Sequence, residues 1–253
     1  MSPAEPLRVG VLSLARPTFD VPFAEQVCAD AWKLMEQIPV DWVGSGELLF
    51  DAESVESQLT KLKKKPIDLL LIMQLTFTDA TMTVKIAESF DVPLLFWSFP
   101  EKRTGGRLRL NSLCGVNLAA HALGKSGIQC DYINLSPNDP ETSEDLSSWI
   151  RAFQTRKNLS STKIAVIGKH PDGFHTCAFD SGKLKEISGV TVEQMELTDL
   201  FDEAEKIEQK TVNLIRSELD SKINGLELVE QEPLEKSIRI LSTLRKKAES
   251  EGY

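Results

Sequence analysis

The stretch RVGVLSLARPTFDVPFAEQV, residues 8–27, begins as a β-strand and ends as an α-helix. The strand is predicted over residues 7–14, an apolar run with β-branched residues. The turn at residues 16–20 reads Arg-Pro-Thr-Phe-Asp, where a nucleotide-binding turn carries glycines. Apolar residues at helical spacing follow, namely Ala24, Val27, Cys28, Ala31, Leu34, Met35 and Ile38. The stretch therefore predicts a βα unit without a glycine-rich phosphate loop.

The same order of strand and helix continues outward from this unit. Further strands are predicted at residues 40–44, 67–74, 93–98 and near 128–135. Helices are predicted at residues 51–65, 78–90 and 111–127. Five strands that alternate with helices predict an α/β fold with a flavodoxin-like, doubly wound, parallel five-stranded sheet.

A composition break at residues 136–145, SPNDPETSED, ends this pattern and begins a capped helix. Beyond it we predict strands at residues 162–168 and 190–196, a short helix between them and two long charged helices after them. Two strands cannot easily cover that much amphipathic helix, so the second α/β domain is predicted to be incomplete. The predicted division is an N-terminal domain at 1–138, a linker and bridging helix at 139–161, and a partial central domain at 162–253.

The composition is that of a soluble globular protein, because 41% of the 253 residues are hydrophobic and 26% are charged. A net charge of -9 argues against nucleic acid or a membrane surface as a partner. The N-terminus lacks the pattern of a signal peptide, and no apolar run approaches the roughly 20 residues that span a bilayer. The four cysteines lie far apart, which predicts reduced, mostly buried thiols and a cytoplasmic protein.

Polar side chains follow three of the predicted strands, where ligands bind in open parallel sheets. They are Arg16, Thr18 and Asp20 after the first strand, Gln74, Thr76, Thr78 and Asp79 after the third, and Ser98, Glu101, Arg103, Arg107 and Asn111 after the fourth. Hydroxyls, amides and charges together suit a polyhydroxylated ligand, so we expect a sugar. The predicted substrate-binding residues are Arg16, Thr18, Gln74, Thr76, Trp97, Glu101 and Asn111.

Structural explanations stand beside this one. Asp20 and Asp79 can cap helices, and Arg16 can pair with a surface carboxylate. The segment RTGGR, residues 103–107, has two arginines that could bind a phosphate, but it lacks the spacing of a phosphate loop. The histidines of KHPDGFH, residues 169–175, favour a solvated Pro-Asp-Gly turn over a metal site.

Several of these segments together resemble the L-fucose isomerase and L-arabinose isomerase superfamily, in particular fucose-isomerase-like proteins. They are the Arg-Pro-Thr turn with the strand before it, IDLLLIMQLTFTDA at 67–80, VPLLFWSFPEKRTGGRLRLNSLCGVNLAAHALGKSGI at 92–128 and IAVIGKHPDGFHTCAFD at 164–180. The resemblance implies an isomerase that interconverts an aldose and a ketose through an enediol on a manganese-type divalent ion. It also implies a homo-oligomer in which Arg16, with residues 74–78 and Glu101 beside it, holds a monosaccharide at a neighbouring subunit's active site.

In that superfamily the metal-binding glutamate follows a helix of the kind predicted at residues 233–253. The resemblance therefore implies that this chain corresponds to the N-terminal and partial central domains. We expect manganese for the full-length parent and none bound by this chain alone, which carries no predicted catalytic or metal-binding residue. A non-catalytic sugar-binding module and a regulatory or assembly module remain as alternatives.

Overall fold

The structure, a computed structural model, describes residues 5–253 and divides into two compact units at residues 157 and 158. The first unit holds a five-stranded, all-parallel sheet in the order β2-β1-β3-β4-β5. Its strands are β1 (Arg8–Leu14), β2 (Asp41–Leu49), β3 (Leu69–Gln74), β4 (Leu94–Ser98) and β5 (Asp131–Asn134). This order is that of flavodoxin-like doubly wound sheets, so the predicted fold class is confirmed.

Five helices connect and follow these strands. They are α1 (Val21–Met35), α2 (Ala52–Leu62), α3 (Thr81–Glu88), α4 (Ser112–Lys125) and α5 (Thr142–Ser160). Two of them begin at capping aspartates: the Asp20 side chain accepts a hydrogen bond from the Phe23 amide, and Asp51 forms a capping box with Ser54. Each cap fixes the residue at which its helix begins and therefore the length of the loop before that helix.

The sheet is covered on both faces, which explains its apolar strands. Every residue of β3 and β4 is buried. Helices α1 and α5 pack on one face, with Ala24 and Ile150 among the buried residues. Helices α2, α3 and α4 cover the other face, with Leu59, Ile86 and Val116 in its core. Because both faces are covered, groups that could bind a ligand are expected in the loops at the carboxyl ends of the strands.

The second unit has a small parallel sheet of two strands, β6 (Lys163–Ile167) and β7 (Thr191–Met195). Its helices are α6 (Ser181–Ser188), α7 (Leu197–Glu205), α8 (Gln209–Asp220) and α9 (Gln231–Glu251), with 3-10 turns at His175–Cys177 and Leu226–Leu228. The prediction of two long helices after β7 is wrong, since there are three. The helical segment is interrupted between α7 and α8, where Arg239 of α9 donates a hydrogen bond to the carbonyl of Ile207.

The second unit buries less apolar surface than the first. The core of its helices centres on Val212, Ile215 and Ile238. On the sheet, Ile164 is 42% exposed and Ile167 is 37% exposed, although parallel strands are normally covered on both faces. The second domain thus shows a small, partly uncovered sheet.

The cysteines differ from the prediction of mostly buried thiols. All four are free, and burial raises the pKa of the Cys28 thiol. Cys114 and Cys177 are exposed, because each lies on a side of its helix or turn that no other element within residues 5–253 covers. Within residues 5–253, no helix is both long and apolar enough to cross a membrane.

Candidate functional site

The turn at residues 16–20 lies at the carboxyl edge of the sheet and is tied to the loop after β3. The Phe19 amide donates to the Arg16 carbonyl at 3.1 Å, which closes the turn. The Arg16 amide donates to Oγ1 of Thr76 at 2.8 Å. Since β1 and β3 are neighbours, the polar residues predicted from two distant segments lie side by side.

Arg16 presents its guanidinium group at this edge through an ion pair. Its Nη2 donates to Oδ2 of Asp79 at 2.6 Å, and the Arg16 side chain is 40% exposed. Hydrogen bonds from the Thr81 side chain and amide, with the charge of Arg16, lower the pKa of Asp79 below its ordinary value. Asp79 is therefore ionised at neutral pH and fixes Arg16, whose other N–H groups remain as donors for a ligand.

The end of β3 contributes a buried polar cluster. Gln74 is fully buried, and its Nε2 donates to the Thr76 carbonyl at 2.7 Å and to Oγ1 of Thr78 at 3.0 Å. Its Oε1 is buried with no hydrogen-bond partner among the described residues. A buried acceptor without a donor costs free energy, so this oxygen is an unmet hydrogen-bond acceptor next to the polar edge.

Glu101 holds the loop between β4 and α4 at its base. Its Oε2 accepts a hydrogen bond from the Arg109 amide at 2.6 Å. Its Oε1 accepts from the amides of Leu110 at 3.0 Å and Asn111 at 2.7 Å. Asn111, the residue before α4, has a left-handed backbone with φ of 53° and ψ of 35°. The carboxylate of Glu101 thus stabilises three backbone groups of this edge.

The same loop contacts the turn at residues 16–20 through two arginines. Nε of Arg109 donates to Oδ2 of Asp20 at 2.7 Å, and its guanidinium lies 3.8 Å from the centre of the Phe23 ring. That hydrogen bond and the one from the Phe23 amide lower the pKa of Asp20. Nη2 of Arg107 donates to the carbonyl of Thr18 at 3.3 Å. The three loops predicted to form the site therefore make direct contacts.

Trp97 is the predicted site residue whose side chain packs in the hydrophobic core. It is fully buried in the sheet, where it lies 5.1 Å from the Phe99 ring, and its indole N–H donates to the Leu135 carbonyl at 2.9 Å. Of the other six predicted residues, Gln74 is the last residue of β3 and Thr76 lies in the loop after it, and both are fully buried. Arg16 and Thr18 lie in the turn after β1, and Glu101 and Asn111 lie in the loop after β4. Sequence reasoning missed Arg109 and Phe23, although the basic alternation of RLRL at 107–110 was a signal for the arginine.

The manganese-type ion implied by the resemblance does not fit the residues that the structure describes. Among residues 5–253, no three side chains of His, Cys, Asp or Glu come together to hold a metal ion. The described residues of this edge therefore offer hydrogen-bonding and charged groups of their own.

The segments that form this edge also match a known protein family in sequence. The sequence model of the family described as "Fucose/sulfoquinovose isomerase, N-terminal domain" matches residues 10–160. The chain belongs to this family. The match covers the five-stranded sheet, apart from the first two residues of β1, and all three loops of the edge, so the predicted likeness to fucose isomerases is confirmed.

Relatives with known names agree with this membership in the fucose/sulfoquinovose isomerase family. The sulfoquinovose isomerase of Priestia aryabhattai is 30% identical over 197 residues, which cover 78% of this chain and 44% of the relative. Those of Alkalicoccus urumqiensis and Clostridium sp. (strain MSTE9) are 29% and 28% identical and cover 81% and 87% of this chain. The chain spans about half the length of these relatives, at 44% to 49%.

Proposed function

We propose that this chain is the N-terminal portion of a sugar ketol isomerase, which interconverts an aldose and a ketose. The observation that carries the proposal is the similarity to sulfoquinovose isomerases over more than three quarters of the chain. We further propose a substrate of the sulfoquinovose class, a hexose in which a sulfonate replaces the terminal hydroxyl, in place of the L-fucose or L-arabinose type.

The chain's own residues would bind and orient this sugar. Arg16, fixed by Asp79, would donate hydrogen bonds to sugar oxygens. Oε1 of Gln74 would accept a hydrogen bond from a sugar hydroxyl and so gain the donor that it lacks among the described residues. Thr18, Glu101 and Asn111 belong to the same proposed binding surface, and the role of Glu101 would be to position the loop.

Two further parts of the proposal rest on the resemblance. A manganese-type ion would take its ligands from outside the described residues and would polarise the sugar's carbonyl and hydroxyl groups. The turn that carries Arg16 would reach a sugar bound at a neighbouring subunit of a homo-oligomer. We also propose a cytoplasmic protein with no nucleic acid or membrane partner.

The experiment is an isomerisation assay of the full-length protein with and without Mn²⁺, in which NMR of the sugar measures the conversion. We expect conversion of sulfoquinovose that depends on the metal, and little conversion of L-fucose or L-arabinose.

Replacing Arg16 by Ala should lower kcat/KM by about 10- to 100-fold, which corresponds to the loss of a charged hydrogen bond. Arg151→Ala, which alters an exposed arginine of α5, is the matched control and should have no effect. A folded protein that converts none of these sugars would contradict the proposal, and sugar binding without conversion would favour a non-catalytic module.

A further inference from the structure

Three arginines contact or begin the turn at residues 16–20, and their charges are balanced differently. Arg16 pairs with Asp79 at 2.6 Å, and Arg109 pairs with Asp20 at 2.7 Å. Arg107 instead donates to the neutral carbonyl of Thr18 at 3.3 Å. Among residues 5–253, Arg107 forms no ion pair with a carboxylate, so its positive charge is uncompensated there.

Arg107 is nevertheless held in place. Its guanidinium carbon lies 4.9 Å from the centre of the Phe19 ring, within the range of a cation–π contact. Phe19 in turn lies 6.2 Å from Phe77, a residue of the loop after β3. The ring and the Thr18 carbonyl restrict the guanidinium, which reduces the entropy that a ligand must remove on binding.

The surroundings of Arg107 are also positive. Lys102 and Arg103 are exposed on the same loop and form no ion pair among the described residues. The chain as a whole carries a net charge of -9, which repels an anion. A local group of unpaired cations beside the candidate sugar site therefore marks the place where an anionic group would bind.

We propose that Arg107 binds the sulfonate group of the substrate and is the residue that selects a sulfonated sugar over a neutral one. This inference rests on the proposed function. A sulfonate has three oxygens that share one negative charge, and an arginine can donate two parallel N–H groups to such an anion. Arg107 uses one Nη2 hydrogen bond on Thr18, which leaves N–H donors for this contact.

The position of Arg107 fits a single sugar that spans the edge. Thr18, whose carbonyl holds Arg107, is two residues from Arg16 in the same closed turn. Arg16 would bind the hydroxyl-bearing part of the sugar, and Arg107 would bind its charged end. Discrimination would then come from one additional charge pair, which a sulfonated sugar makes with Arg107 and a neutral sugar cannot make.

The test is binding of two sugars to the ¹⁵N-labelled protein, namely sulfoquinovose and quinovose, which is the same sugar without the sulfonate. We expect sulfoquinovose to shift the Nε–Hε signal of Arg107 and quinovose to leave it in place. Arg107→Gln should weaken the binding of sulfoquinovose by about 10- to 100-fold and change that of quinovose by less than about twofold. Arg107→Lys keeps the charge without the fork and should retain part of the affinity.

Arg151→Gln is the control for loss of one positive charge outside the site. An unmoved Arg107 signal would overturn the inference, as would an Arg107→Gln variant that weakens both sugars equally, because a loosened loop acts on both. Turnover by the wild-type protein separates the two proposals. Turnover of sulfoquinovose with unchanged selectivity in Arg107→Gln would overturn the inference alone. Selective binding through Arg107 without turnover would overturn the proposed function alone.

Discussion

Glu101 uses its carboxylate to bind backbone, and this fixes the geometry of its neighbours. It accepts hydrogen bonds from the amides of Arg109, Leu110 and Asn111. Those three residues directly precede α4. Their position places the Arg109 side chain within hydrogen-bond distance of Asp20. A single side chain therefore determines how the loop after β4 meets the turn after β1.

Replacing Glu101 by Gln should destabilise the protein. The amide group of glutamine has only one acceptor oxygen, and its NH₂ would oppose a backbone N–H, so we expect a loss of about 1–3 kcal/mol in the free energy of unfolding. Urea unfolding measures the change. Glu25→Gln, at an exposed position of α1, is the matched control and should change stability by less than about 0.5 kcal/mol. Equal stabilities of the two variants would contradict the role given to Glu101.

For single residues, the sequence predicted which side chains lie at the polar edge better than it predicted what each of them does. Arg16, Gln74 and Thr76 could be selected because they follow strands of a predicted parallel sheet. The role of Glu101 could not, because its partners are backbone N–H groups that carry no sequence signature. Trp97 was chosen for its place beside a loop, but β4 is covered on both faces, so its ring is buried in the core.

Helix α4 carries two glycines with opposite surroundings, and they test how closely the helix packs on the site. A Cβ on Gly115 would lie 3.1 Å from three atoms of the Gln74 side chain. A Cβ on Gly124 would have no atom within 4 Å. Gly115 thus allows the close approach of α4 to the polar cluster at the end of β3.

The expected effects of alanine at these two positions differ in sign. Gly115→Ala should destabilise the protein by about 1–2 kcal/mol, since the methyl group must displace the buried Gln74 amide. Gly124→Ala should stabilise it by about 0.5–1 kcal/mol through helix propensity. Thermal and denaturant unfolding of both variants measure this. Stabilisation by both substitutions would show that Gln74 yields easily.

The pairing of α8 with α9 should respond to acid. Hydrogen bonds and charges from Arg245 and Lys222 lower the pKa of Glu218 from its ordinary 4.5 to about 2. A carboxyl group with a lowered pKa in the folded state contributes stability above its unfolded pKa, and this is lost as the pH falls. We therefore expect the stability from Glu218 to be lost between about pH 4.5 and about pH 2.

Unfolding by urea as a function of pH tests this expectation. The Glu218→Gln variant should show a shallower loss of stability over that pH range than the wild-type protein. Glu186→Gln, at an exposed position of α6, serves as the control and should follow the wild-type curve. Parallel curves for wild type and Glu218→Gln would contradict the contribution of Glu218.

Elements with strong periodicity were predictable, and breaks without a turn residue were not. The buried runs at β3 and β4 and the capping aspartates of α1 and α2 gave clear strand and helix signals. The break between α7 and α8 contains neither glycine nor proline. It is stabilised by a hydrogen bond from Arg239, a residue 32 positions further on, so no local pattern could predict it.

The two units of the molecule should differ in local stability. In the first unit β3 and β4 are buried along their full length, whereas β6 and β7 of the second unit are largely intermediate or exposed. We expect the backbone amides of β3 and β4 to exchange with deuterium much more slowly than those of β6 and β7. Hydrogen exchange followed by mass spectrometry measures this directly. Equal protection of the two sheets would contradict the expectation.

The attachment of Glu101 to residues 109–111 has a consequence for how new specificities can arise. The residues between them, 102–108, are anchored at both ends by one carboxylate and include the cations Lys102, Arg103 and Arg107. Such a segment can change in composition while its two ends stay in register with the sheet. Exchange of a few residues in this segment could therefore turn the proposed preference for a charged sugar into one for a neutral sugar, while the sheet and the two ends of the loop stay unchanged.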